Sequence, residues 1–118
     1  MIPTIQETLR SLLVTGRYRG YKQAVIALQI IVENEDAIYS VNENIYLEVA
    51  RRCGCNPKCI ERNIRTIIYR IWRINKDRLR AMAGYPLIAP PTVSEFLDIV
   101  ANHIRRLNPS EEPSPSDR

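Results

Sequence analysis

The 118-residue chain holds one histidine, one tryptophan, one phenylalanine, four glycines and three cysteines, and each scarcity removes a class of function. His103 is the sole imidazole, and no nucleophile elbow, phosphate-cradling glycine loop or paired-carboxylate motif accompanies it, so the sequence reads as a non-enzyme. An odd cysteine count argues against a secreted disulfide framework. No apolar run approaches the roughly 18 residues needed to cross a bilayer. Met1 opens onto Ile2, Pro3 and Thr4 rather than onto the basic and apolar regions of a signal peptide. A cytoplasmic protein without a membrane partner is the expectation. β-alternation never lasts beyond a few residues, and Asn-Gly and Asp-Gly hairpin signals are missing, which points to an all-α domain. The six tyrosines, Tyr18, Tyr21, Tyr39, Tyr46, Tyr69 and Tyr85, are scattered rather than grouped as an RNA-stacking sheet requires.

What is present is a core and a concentrated charge. With 45% apolar and 25% charged residues, the chain has the material for one domain and no more. Its net charge of +4 is mild, but the distribution is not. Residues 51 to 80 carry ten basic side chains (Arg51, Arg52, Lys58, Arg62, Arg65, Arg70, Arg73, Lys76, Arg78, Arg80) against two acidic ones (Glu61, Asp77), a net +8. The other 88 residues carry 7 basic and 11 acidic groups, a net −4. That polarity is the footprint of a protein that docks on phosphates; the plainer alternative is a solvated arginine-rich helix. Arginine outnumbers lysine 14 to 3, and its planar fork suits phosphate and guanine.

The punctuation predicts six helices. Thr4 with Glu7, Ser40 with Glu43 and Thr92 with Glu95 have the spacing of capping boxes, marking three helix starts. The first helix is expected to run to about Val14 with Ile5, Leu9, Leu12 and Leu13 inward, and the second from about Gly20 to Glu33. A third spans about Val41 to Cys53, with Gly54 placed for a left-handed end and Asn56-Pro57 placed as N-cap and first residue of the next. The fourth should run from Pro57 to about Ile74, burying Ile60, Ile64, Ile67, Ile68 and Ile71 within a stripe of about 100°. A short fifth helix, about Lys76 to Ala83, and a sixth, Val93 to Leu107, complete a domain over residues 1–107. Residues 108–118, proline- and serine-rich and acidic, lack an apolar anchor and read as a disordered tail.

Helices three and four have the layout of a helix-turn-helix, with Ala50 small at the crossing and Gly54 in the turn. In that motif the second helix enters the major groove and reads base edges with its N-terminal half. Lys58, Glu61, Arg62 and Arg65 are the candidate base-reading residues: Arg62 can fork onto guanine and Glu61 can accept from cytosine. Arg51, Arg52, Tyr69, Arg70, Arg73, Arg78 and Arg80 are the candidate phosphate or positioning contacts. Asn63 departs from this scheme, since it falls where such motifs often keep an apolar residue. Cys53, Cys55 and Cys59 form C-x-C-x₃-C at the turn; a metal or redox role is weakly suggested because a fourth ligand is missing, and ordinary helix and turn thiols are the alternative. No cofactor is indicated.

The run from Asn44 to Arg65 (NIYLEVARRCGCNPKCIERNIR), then Trp72, Gly84-Tyr85 and Pro91 to Phe96 (PTVSEF), resembles the family of C-terminal DNA-binding effector domains of stage zero sporulation protein A, a response regulator. The likeness covers about Ile5 to Arg106. It implies a six-helix domain with a helix-turn-helix that binds double-stranded DNA. Glu61 and Arg62 match the family's base-reading pair, whereas Cys59 and Thr66 stand where the family has an arginine and a histidine. Family members also carry an N-terminal receiver domain, which this chain is expected to lack, and the loop between the first two helices is about two residues shorter.

The expected function is sequence-specific binding of double-stranded DNA as a nucleoid-associated transcription regulator, with residues 57–74 as the recognition helix. RNA polymerase, a full-length sporulation regulator and a second copy of the chain on tandem sites are the further partners to consider. The alternative is an interaction protein that pairs with and modulates a full-length regulator without an operator of its own.

Overall fold

The computed structural model describes residues 2–34 and 45–107, and every regular element among them is helical. There are five helices: α1 (Ile2–Ser11), α2 (Tyr21–Glu33), α3 (Tyr46–Cys53), α4 (Pro57–Ala83) and α5 (Val93–Leu107). The all-α expectation holds, but five helices stand where six were expected. The fourth and fifth predicted helices are one long element that bends at Asn75, whose backbone (φ −152°, ψ 40°) leaves the helical region while helix resumes on both sides. A tertiary contact accompanies the bend: the Asn75 amide donates to the Ser11 carbonyl at 3.3 Å.

Residues of all five helices meet in one core. α4 lays Ile60, Ile64, Ile67, Ile68 and Ile71 against it, each at most 1% exposed, so the isoleucine stripe is the buried face. Ile5, Leu9, Leu28, Val49, Phe96, Leu97, Val100 and Ile104 close the core from the other elements. Two arginines of α5 then tie helix ends together. The Arg105 guanidinium donates to the Ile31 carbonyl near the end of α2 at 2.6 Å, and that of Arg106 donates to the Met82 carbonyl near the end of α4 at 3.0 Å. Cations there satisfy orphan carbonyls and oppose the negative end of the helix dipole.

Two expectations about helix ends are corrected. α1 stops at Ser11 instead of Val14; Leu13 takes a left-handed backbone (φ 71°) that turns it outward, and Val14 is buried in its place. α1 also starts at Ile2, so Thr4 lies inside its first turn rather than capping it, and its carbonyl accepts from the Thr8 hydroxyl. The Thr92–Glu95 box forms in both directions: Thr92 N–H donates to the Glu95 carboxylate at 2.9 Å and Glu95 N–H to the Thr92 hydroxyl at 3.1 Å. Ser40, Glu43 and the expected start of the third helix, like the 108–118 tail, lie outside the described residues.

Candidate nucleic-acid interface

The turn between α3 and α4 is built by local chemistry. Gly54 ends α3 in the left-handed region (φ 69°, ψ 37°), its N–H and that of Cys55 both donating to the Ala50 carbonyl. The chain reverses at once, because the Asn56 side chain accepts from Lys58 N–H at 2.8 Å and Pro57 occupies the first position of α4. α3 and the start of α4 are thereby held as two helices joined by a three-residue turn, the layout expected of a helix-turn-helix.

At 100° per residue Arg62 lies opposite the middle of the isoleucine stripe, flanked by Lys58, Tyr69 and Arg73, and all four are exposed. Arg62, Lys58 and Arg73 enter no ion pair among the described residues. Arg65 does: its guanidinium pairs with Glu61 one turn earlier. Tyr46, Pro57, Lys58, Glu61, Arg62 and Arg65 line an open groove of about 480 Å³ between the start of α3 and the first turns of α4. Burial pushes the Tyr46 phenol above its ordinary pKa against the opposing pull of Arg65. The four residues expected to read bases are therefore assembled on one groove.

The residues expected on phosphates divide. Arg51 and Arg52 are exposed on α3 but both bind Glu48, at 2.5 and 2.8 Å, and these two hydrogen bonds lower the Glu48 carboxyl to about 2. Arg70 stacks over the Tyr18 ring, its guanidinium 5.6 Å from the centroid. Arg80 is committed to structure: it lies 5.4 Å over the Trp72 ring and donates to the Leu87 carbonyl at 2.9 Å. Arg78 is remote from the groove, lining instead a cavity of about 260 Å³ with Thr4, Glu7, Thr8, Ser11, His103 and Leu107. There, burial first and then Arg106 and Arg78 hold the His103 imidazole below its ordinary pKa.

Two residues acquire roles that the sequence pattern did not indicate. Gln23 of α2 is buried, donates to the Cys55 sulfur at 3.5 Å and accepts from the Asn63 amide at 3.2 Å. Asn63 is thus a satisfied polar link between α2 and α4 rather than a defect in the apolar face. Gly20 packs so tightly there that a Cβ on it would lie 2.9 Å from Asn63 Cβ. No local signal marks the Gln23–Asn63 pair, because its members are 40 positions apart. Among the described residues no three of His, Cys, Asp and Glu are arranged to hold a metal ion. Burial, with Cys55 nearby, pushes the Cys53 thiol up despite Lys22.

None of the described helices is long and apolar enough to cross a membrane. The family model described as sporulation initiation factor Spo0A C terminal matches residues 5–104.

Proposed function

The chain belongs to the Spo0A C-terminal family of DNA-binding effector domains of a sporulation response regulator, and from that premise we propose that it is a transcription regulator reading a specific double-stranded site with the first half of α4 in the major groove. The observation that carries this reading is the outward face of α4: Arg62, Lys58 and Arg73 are exposed, unpaired among the described residues and opposite the buried isoleucines. Arg62 at the centre of that face forks onto a guanine, and Lys58 and Arg73 take the flanking phosphates. Glu61 and Arg65 act as a coupled pair, with Glu61 accepting from a cytosine amine once Arg65 turns to a phosphate or base. Arg51 and Arg52 on α3 exchange Glu48 for the backbone as α3 crosses it. Arg80 and Arg78 act at a distance from the bases, the first by fixing the loop after α4.

Fluorescence anisotropy of labelled duplex across a salt series tests this. Each neutralised phosphate steepens log K against log salt by about 0.9, and Arg62→Ala is expected to cost about 1–3 kcal/mol on the preferred site. A flat salt dependence, or full affinity in the Arg62→Ala variant, would overturn the reading.

A further inference from the structure

The recognition helix has a second cationic neighbour outside the segment that dominates the net charge. The chain from Ser11 to Val32 contains Arg17, Arg19 and Lys22 and no acidic residue. All three cations are exposed, and none enters an ion pair among the described residues. Arg51 and Arg52, in contrast, share the Glu48 carboxylate, and Arg65 pairs with Glu61.

Three contacts hold this segment against α4. Gly20, between Arg19 and Tyr21, touches the backbone and Cβ of Asn63. The ring of Tyr18, between Arg17 and Arg19, lies under Arg70. Gln23, next to Lys22, accepts from Asn63 and donates to Cys55 in the turn. The segment is also internally braced: Val14 is buried, Tyr18 N–H donates to the Thr15 carbonyl at 3.1 Å, and Tyr21 N–H to the Tyr18 carbonyl at 3.0 Å. On the helical wheel Asn63 and Arg70 lie on the flank of α4 away from Glu61 and Arg65, so the loop borders the exposed face on the side opposite the Tyr46 groove. A helix in the major groove has a phosphate strand along each side.

We infer that Arg17, Arg19 and Lys22 form a sequence-independent phosphate clamp on the far side of the major groove from α3, with Arg70 as its link to the recognition helix. The inference rests on the reading that α4 enters the groove. The clamp is pre-organised, since it is packed on α4 and, among the described residues, no ion pair must break before it meets DNA. Unpaired cations release the full complement of counterions on docking.

The test is anisotropy with a labelled mixed-sequence duplex and a duplex recovered by selection, comparing wild type, Arg17→Ala/Arg19→Ala/Lys22→Ala, and Arg17→Lys/Arg19→Lys. Losing two to three phosphate contacts should make the salt slope shallower by about 1.8–2.7, so the loss of affinity relative to wild type should be roughly 60- to 500-fold larger at 0.1 M than at 1 M salt. The loss should be similar on both duplexes, and the Arg-to-Lys variant should retain the wild-type slope. An unchanged slope in a triple variant that melts like wild type would overturn the clamp, as would a loss confined to the selected duplex. Arg62→Ala on the same duplexes separates the two ideas: if it loses affinity while the triple variant does not, only the clamp fails.

Discussion

Gly20→Ala probes the joint between α2 and α4. The backbone there (φ −87°, ψ 5°) is open to alanine, so the obstacle is space alone. The added Cβ would sit 2.9 Å from Asn63 Cβ and 3.1 Å from the Asn63 carbonyl carbon and oxygen. Carbon atoms rest about 3.5–4.0 Å apart, so α2 must retreat by roughly 0.6–1 Å, and no rotation of a side chain relieves contacts made with main chain and Cβ. Overpacking of this kind costs about 1–3 kcal/mol. The stiffer unfolded chain of alanine offsets about 0.4–1 kcal/mol of that. The net loss of up to about 2.6 kcal/mol lowers the Tm by as much as roughly 15 °C for a domain this size. Gly16→Ala is the matched control, since a Cβ there meets nothing within 4 Å and its backbone is not left-handed; it should be neutral or stabilising by up to about 1 kcal/mol. Circular dichroism melts of the two variants decide the matter. Equal Tm values for Gly20→Ala and Gly16→Ala would refute the close approach of α2 to α4.

Gln23→Leu removes the partner of Asn63 and should cost about 1–3 kcal/mol in chemical denaturation, while Gln23→Leu/Asn63→Leu should recover much of that loss because neither polar group is then orphaned. Glu61→Gln releases Arg65 and removes a negative charge from the groove, so binding to mixed-sequence duplex should tighten in a salt series even as discrimination between sites falls. His103 has a folded pKa below its ordinary 6.5; the unfolded chain therefore binds the proton more readily, and stability present above pH 6.5 should fall as pH drops toward 5. Melts of His103→Gln over that range should show a smaller pH dependence than wild type. Glu48 should titrate near 2 by NMR, and replacing Arg51 and Arg52 by alanine should return it toward 4.5.

Much of α4 is legible in the sequence because its determinants are local and periodic. Five isoleucines at helical spacing define the buried face, Asn56-Pro57 starts the helix, and Gly54 ends the one before it. The Thr92–Glu95 box is local in the same sense. What escaped depends on partners far along the chain. The interruption at residue 75, between the stretches ending at about Ile74 and starting at about Lys76, was legible, but the contact that accompanies it, from the Asn75 amide to the Ser11 carbonyl, spans 64 positions and has no local signal. Thr4 has the spacing of a cap, yet α1 begins two residues earlier. For the proposed site, arginine content picked out α4 but could not tell committed guanidinium groups from available ones. Arg80 is occupied by Trp72 and Leu87, and Arg65 by Glu61, whereas Arg62 enters no ion pair among the described residues.

Selection of bound duplexes from a random library, run in parallel with wild type and Arg62→Ala, tests the central claim most directly. The wild type should enrich one motif, containing a guanine whose preference disappears in Arg62→Ala while the other positions persist. No enriched motif for the folded wild type, or an identical motif for both proteins, would contradict it.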